Sequence, residues 1–230
     1  MVSVVIPSLN EEEGIGSTID EIPVKELQRM GYDVEILVVD GNSIDRTREI
    51  AEKMGATVII EARRGYGRAY KTGFEKARGD IIVTLDADAT YPALNIPKFV
   101  RYLTEQKLDF ITTNRLAFME NEAMAPLHKV GNAILTLASR ILFLVKIADS
   151  QSGMWIFRKE ILRELDLTSD GMGLSEEIKI KAFKKFRAKE VPIKYRKRLG
   201  AAKINSFDDG IKNLLFLLRL RSSLFKSPCQ

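Results

Sequence analysis

The 230 residues, 45% hydrophobic and 29% charged, have enough apolar material for one packed domain, and nothing in them is collagen-like, disordered or disulfide-scaffolded. The single cysteine, Cys229, cannot form an internal disulfide, so the sequence gives no sign of an oxidising compartment and reads as cytoplasmic-side. A formal net charge of +5 suits an anionic partner, which composition leaves open between nucleic acid, a membrane surface and a phosphorylated substrate.

Val2–Ile6 is too short for the apolar core of a signal peptide and Pro7 ends it, so no signal peptide is expected. Residues 133–148 and 211–225 are the longest apolar stretches, and Arg or Lys interrupts each, so no membrane-spanning segment is expected. Val2–Ile6, Val34–Val39, Thr57–Ile60 and Ile81–Leu85 read as buried strands, because they are rich in Val and Ile and bounded by Gly, Asn, Asp or Pro. Glu11–Met30, Asp45–Met54 and Tyr66–Ala77 read as helices between them. This alternation predicts an α/β fold, a mostly parallel sheet flanked by helices, with ligands at the carboxyl ends of the strands. Beyond residue 92 the pattern predicts a helix over Ile96–Glu105, a strand over Leu108–Thr113 and a helix over Ala123–Ile147. A short strand at Met154–Phe157 follows, then a basic amphipathic helix at Leu174–Phe186, a strand at Ala188–Tyr195 and a C-terminal amphipathic helix from Ile211 to Phe225.

The predicted strand ends are acidic. Asn10 and Glu11 follow the first strand, Asp40 the second, and Asp86 and Asp88 the fourth. Carboxylates accept hydrogen bonds from ribose and base groups, and hard oxygen ligands hold Mg²⁺ or Mn²⁺. Asp86 and Asp88, one residue apart in LDADATYP, share a side of an extended backbone and can hold one ion between them. An isolated Asp-x-Asp is more often a solvated acidic turn. The segments VVIPSLNEEEG, EILVVDGNSIDRT, RGYGRAYKTGFEKARGD and VTLDADATYP occur in order, each at a strand end, and together they separate this chain from that reading.

With these four segments the first 115 or so residues closely resemble glycosyltransferase family 2, the inverting enzymes of Rossmann-like GT-A fold. The resemblance implies that Pro7, Asn10 and Glu11 form a nucleotide-contacting loop, that Asp40 hydrogen-bonds the base, and that Asp86 and Asp88, with Ala87 between them, bind metal beside the donor. Gly65, Gly67, Ala69 and Gly73 match a glycine-punctuated segment against the nucleotide. A dinucleotide fingerprint is the poorer reading of these glycines, which follow the third strand and not the first.

In the second half, Asn114-Arg115, APLHKVGN at 125–132 and DSQSGMWIFR at 149–158 resemble the acceptor side of dolichyl- and polyprenyl-phosphate sugar synthases within that family. RLGAAKIN at 198–205 is similar to a basic loop that such enzymes close over phosphates. The resemblance implies Arg115, Lys129, Arg198 and Lys203 as the groups that meet a lipid phosphate, and Asp149 as a residue that orients the sugar. The wording Gln151-Ser152-Gly153 is closer to glucosyl and N-acetylhexosaminyl members than to mannosyl ones. Mannosyl members usually carry Gln where this chain has Thr90. Many lipid-phosphate members also carry C-terminal transmembrane helices, and none is expected here.

Membrane contact is therefore expected of in-plane helices: residues 207–225 and 134–147 interleave apolar side chains with Lys and Arg, though either helix could pack on the core or on a second subunit. His128 is the only histidine, so a histidine-based zinc site lacks partners. Trp155 fits the core better than a sugar platform. Glu176 and Glu177 match the position of a catalytic acid in members that act on hydroxyl acceptors, whereas an anionic phosphate needs no general base.

The sequence thus predicts a hexosyltransferase at residues 1–205, with a nucleotide-sugar half at 1–115, an acceptor half at 116–205 and an interfacial helix at 206–230. Its partners are a UDP- or GDP-sugar (glucose, N-acetylglucosamine or mannose), dolichyl or polyprenyl phosphate, Mg²⁺ or Mn²⁺ and the cytoplasmic membrane face, without nucleic acid and with a homo-oligomer left open. A non-catalytic nucleotide-sugar-binding module, a peripheral membrane scaffold and a transferase acting on a hydroxyl acceptor are the alternatives.

Overall fold

The β-branched runs of the first half pair as parallel strands. The computed structural model describes residues 1–120, 123–201 and 206–226, the last helix by its backbone alone at 206–209 and 224–226. In it β1 (Val2–Ser8), β2 (Val34–Asp40), β3 (Thr57–Ile60) and β4 (Ile81–Thr84) are joined in the order β3-β2-β1-β4. Side chains alternate across this sheet. Val2, Val4 and Ile6 enter one core layer, and Val5, Leu37 and Val39 enter the layer on the opposite face.

Helices cover both faces. The helix expected over Glu11–Met30 is two, α1 (Ile15–Asp20) and α2 (Val24–Arg29), because Pro23 cannot continue a helix and turns the chain between them. Glu11 is thereby left in the loop after β1. Helix α3 (Thr47–Lys53) starts later than expected, since Asp45 stays outside it and accepts hydrogen bonds from the backbone N–H (3.0 Å) and hydroxyl (2.5 Å) of Thr47. Helix α4 (Tyr66–Lys76) lies on the opposite face, and α5 (Ile96–Glu105) packs with α1 and α2.

The second half extends the same sheet with β5 (Phe110–Met119), β6 (Trp155–Arg158) and β7 (Ala188–Tyr195), giving the full order β3-β2-β1-β4-β6-β5-β7. Six of the seven strands are parallel. β6 runs against both β4 and β5, so the Asp149–Gly153 segment that precedes it arrives at the carboxyl ends of those strands. β5 is longer than expected: Asn114 and Arg115 lie within it, because pairing with β7 resumes at Phe118 after an irregularity.

Helix α6 (Pro126–Phe143) stops at Leu144, which adopts a left-handed conformation (φ 55°), four residues short of the stretch that the apolar pattern suggested. After the short α7 (Leu162–Leu165) comes α8 (Leu174–Lys185), expected as a basic amphipathic helix over Leu174–Phe186. It is instead buried on every side from Leu174 to Ala182, because one face packs on the sheet through Leu174 and Ile178 while Ile180 faces a separate cluster. That cluster joins α6 to the C-terminal helix α9 (Ser206–Lys226) through Leu135, Phe143, Leu217 and Leu220. Among the described residues, no helix is long and apolar enough to cross a membrane.

Candidate active site

Three strand-end loops converge at the carboxyl edge of β1, β2 and β4. Asn10 adopts φ 52°. Its backbone N–H donates to Ser43 Oγ (2.8 Å) and its Oδ1 accepts from the Ile44 N–H (2.8 Å), while the Glu11 N–H donates to Thr47 Oγ1 (2.7 Å). The first two loops are thus tied into one surface, with Pro7 half-buried at its base. Asp40, expected to meet the base, is wholly buried: its oxygens accept from the Ser43 N–H (2.8 Å) and hydroxyl (2.5 Å), with Arg48 Nε at 3.8 Å. As found, Asp40 shapes the loop after β2 and presents no surface to a ligand, because Ser43 three residues on folds back over it.

Asp86, Ala87 and Asp88 follow β4. Thr90, which stands where mannosyl members keep Gln, donates its N–H (3.2 Å) and hydroxyl (2.7 Å) to Asp88 Oδ1 and so fixes that carboxylate, leaving Oδ2 3.7 Å from Arg198. Tyr66 and Tyr70 donate to Asp86 Oδ1 at 3.4 and 3.5 Å. Enclosure, and then repulsion from Asp88, push Asp86 up to about 7. Close approach demands glycine here: a Cβ at Gly153 would stand 2.6 Å from the Tyr66 hydroxyl and 3.1 Å from Asp86 Oδ1. Among the described residues no three His, Cys, Asp or Glu side chains are grouped to hold a metal ion. The pair Asp86 and Asp88 still fits a divalent cation that draws its remaining ligands from a diphosphate, since a cation relieves the repulsion that hinders ionisation of Asp86.

A basic strap crosses this pair. The Arg196 N–H donates to the Thr90 carbonyl (3.1 Å) and the Leu199 N–H to the Asp88 carbonyl (3.0 Å), pinning residues 196–199 along the acid turn. Arg196 is anchored by Glu21 (2.5 Å) and the Tyr91 carbonyl (2.6 Å). Arg198 reaches inward: its Nη2 lies 3.1 and 3.2 Å from the two oxygens of Glu11, and its Nη1 3.7 Å from Asp88 Oδ2. Arg198, expected to meet an acceptor phosphate, thus lies against Glu11 and Asp88, where two carboxylates hold its guanidinium.

Behind the cleft is a buried ion pair. Arg115 donates from Nε (2.8 Å) and from its backbone N–H (3.0 Å) to Asp149 Oδ2, and from Nη2 (2.9 Å) to Oδ1, and its guanidinium lies 5.4 Å from the centre of the Tyr195 ring. Burial opposes ionisation of Asp149, yet the Arg115 charge holds it down to about 2. With no exposed surface and both oxygens filled, Asp149 cannot orient a sugar directly; it orients Arg115. Lys179 of α8 donates to the Asp149 carbonyl (3.0 Å), and its burial lowers it to about 7.

Glu177 is consumed by Thr168, Ser169 and Lys181. Glu176 is buried, pushed up to about 8 by that burial, and accepts from Gln151 Nε2 (2.7 Å). Gly67, expected beside the donor, packs elsewhere: a Cβ there would meet the carbonyls of Ser169 (2.6 Å) and Gly171 (2.9 Å), and the Arg68 N–H is taken by the Asp170 carbonyl (3.0 Å). Residues 169–171 therefore pack directly on Gly67. Lys129 is exposed on the first turn of α6, with His128 beside it half-buried, and Lys203 lies outside the described residues. Trp155 is core, with Nε1 donating to the Ser152 carbonyl (2.8 Å) and its ring against Tyr70. Tyr66, Tyr70, Tyr91 and Arg196 escaped the sequence reading. The two tyrosines of α4 share a face at i, i+4, a spacing that also suits plain core packing.

The family model described as "Glycosyl transferase family 2" matches residues 3–166. The chain belongs to glycosyltransferase family 2. The low-salt glycan biosynthesis hexosyltransferase Agl6 of Haloferax volcanii is 38% identical over 99% of this chain, and the chain spans 55% of that relative's length. The dolichyl-phosphate hexose transferase of the same organism is 34% identical over 91% of the transferase and 89% of the relative. Among solved structures, glucosyl-3-phosphoglycerate synthase from Mycobacterium tuberculosis, in complex with Mn²⁺, uridine diphosphate and glucosyl-3-phosphoglycerate, superposes with a TM-score of 0.74. It is 24% identical and covers 97% of this transferase and 80% of its own chain; that likeness carries the fold.

Proposed function

We propose that this transferase moves a hexose from a UDP- or GDP-sugar to dolichyl or polyprenyl phosphate with inversion, at the cytoplasmic face of a membrane. The observation that carries the reading is the juxtaposition of two acids with a cationic strap at one sheet edge: Asp86 and Asp88 with Arg198 across them. The names of two relatives, a hexosyltransferase and a dolichyl-phosphate hexose transferase, support the transfer class and the acceptor.

Glu11, Asn10 and the loop after β2 line the nucleotide side. Asp86 and Asp88 would hold a Mg²⁺ or Mn²⁺ ion, whose chemistry is to neutralise the departing diphosphate. A phosphate oxygen of the acceptor forms the new bond to the anomeric carbon while the bond from that carbon to the diphosphate breaks and the nucleoside diphosphate leaves with the electron pair. The acceptor is already an anion, so no proton need be removed; this agrees with Glu177 being spent on the 168–169 backbone and Glu176 lying wholly buried. Arg115, Lys129, Arg198 and Lys203 are the proposed cations for the acceptor phosphate, with Asp149 holding Arg115 in place.

The test is to incubate the protein with labelled UDP- and GDP-sugars, Mg²⁺ or Mn²⁺ and a short polyprenyl phosphate, then to extract the organic phase. Label should appear there with one donor, and Asp88→Ala should abolish it while the circular dichroism spectrum is unchanged. Transfer that survives Asp88→Ala would overturn the paired-acid assignment, and label found only on water-soluble glycans would favour a hydroxyl acceptor.

A further inference from the structure

Each oxygen of Asp88 has a defined neighbour. Oδ1 is committed to Thr90 through two hydrogen bonds, and Oδ2 faces the Arg198 guanidinium at 3.7 Å. The same guanidinium grips both oxygens of Glu11. Its Nε is buried without a hydrogen-bond partner among the described residues, so the contacts that hold the guanidinium are made by its two terminal nitrogens. The backbone that carries it is fixed independently, by the Arg196 and Leu199 amides and by the two contacts of Arg196.

We infer that Arg198 is an internal counter-ion that competes with the divalent cation for Asp88 Oδ2, so that donor loading releases Arg198 and makes it available to a second anion. A cation on Asp86 and Asp88 has to use the Asp88 oxygen that Thr90 leaves open, which is the one that Arg198 faces. Two positive groups cannot share that oxygen at contact distance in a half-buried cleft without strong mutual repulsion. The strap backbone need not move, because its amides bond carbonyls of the acid turn and not the carboxylates. Only the side chain exchanges: Arg198 leaves Asp88, pivots on Glu11 or beyond it, and offers a planar fork where the acceptor phosphate approaches. The inference rests on the paired-acid reading above and adds to it the internal charge that the cation displaces.

Two measurements on the whole protein without nucleotide test it. Mn²⁺ titration followed by electron paramagnetic resonance should give about tenfold tighter binding for Arg198→Met than for the parent, the size expected when one like charge leaves a partly screened site. In the parent protein, which needs no substitution and so no assumption about folding, phenylglyoxal should modify Arg198 faster when Mn²⁺ is saturating, with Arg48 as the internal reference. Equal or weaker Mn²⁺ affinity in Arg198→Met, or an Arg198 labelling rate that Mn²⁺ leaves unchanged, would overturn the competition while leaving the paired-acid reading intact. Failure of Mn²⁺ to bind either protein would overturn the competition, and the paired-acid reading is then decided separately by Asp88→Ala in the transfer assay, where nucleotide is present.

Discussion

A carboxylate with no exposed surface and a guanidinium wrapped around it make the pair Arg115 and Asp149 a one-sided dependency. If Asp149 becomes Ala, Arg115 keeps its charge and loses the three hydrogen bonds that it makes to that carboxylate. Breaking a buried pair in this way costs roughly 3–5 kcal/mol, and replacing both partners with apolar residues recovers much of it. Urea melts of Asp149→Ala and of the double variant Asp149→Leu/Arg115→Met should show that ordering. Single residues also define what could be read in the sequence. Asp86 and Asp88 are one residue apart and stand after a Val/Ile run, so their shared side follows from strand geometry. Arg115 and Asp149 are 34 positions apart and meet only because β6 runs against β5. Asp40 and Gly67 had the right residue types for the motif, but neither partner is encoded in it: Ser43 folds back over Asp40 from three residues on, and Gly67 packs against residues 169–171, about a hundred positions away.

At the scale of elements, α8 shows how a helix with four lysines can be core. Lys179 and Lys181 enter with their charges met by the Asp149 and Asp166 carbonyls and by Glu177, so a pattern that reads as a solvated face is satisfied internally. Glu176 on the same helix carries a pH signature. Its folded value, about 8, lies above its ordinary 4.5, so the folded protein keeps the proton over a range in which the unfolded chain has released it. Stability from this group is complete below pH 4.5 and is lost as pH rises towards 8. Glu176→Gln should therefore gain stability relative to the parent by up to about 1.4 kcal/mol per pH unit across that window, read from unfolding curves at pH 5, 6.5 and 8. The opposite slope would mean that Glu176 is ionised in the fold. The strands were legible because Val and Ile runs between turn residues have few other uses. The split at Pro23 follows from proline chemistry, yet the helical pattern of 11–30 hid it.

For the whole molecule the outward face of α6 matters most. Leu127, Val130, Ile134, Leu137, Ile141 and Leu144 recur at alternating three- and four-residue steps, and each is more than half exposed. Ile211, Leu214, Leu215 and Leu218 of α9 are exposed as well, on the helix packed against it. Lys129 and Arg140 are exposed on α6, whose residues 126–143 include no acid. This is the face with which the proposed transferase would meet a bilayer. Vesicles containing anionic lipid should float the parent protein, and Ile134→Glu/Ile141→Glu should abolish flotation with no loss of thermal stability, since neither side chain is in the core. Retained flotation would remove the face from the proposal, and a change in molar mass by light scattering would assign it to a second copy.

The reversed course of β6 has one more consequence. Because β6 is inserted between β4 and β5, the half of the chain that begins after residue 115 is wedged into the sheet between two strands of the first half. The halves are interlaced and not stacked end to end. Transplanting the region after residue 115 from a relative would thus mean rebuilding the seams on both flanks of one four-residue strand, with Gly153 at its mouth leaving no room for a side chain beside Asp86. Substitutions are accommodated more readily in the outer helices than in the DSQSG segment, where a change disturbs two strand seams at once.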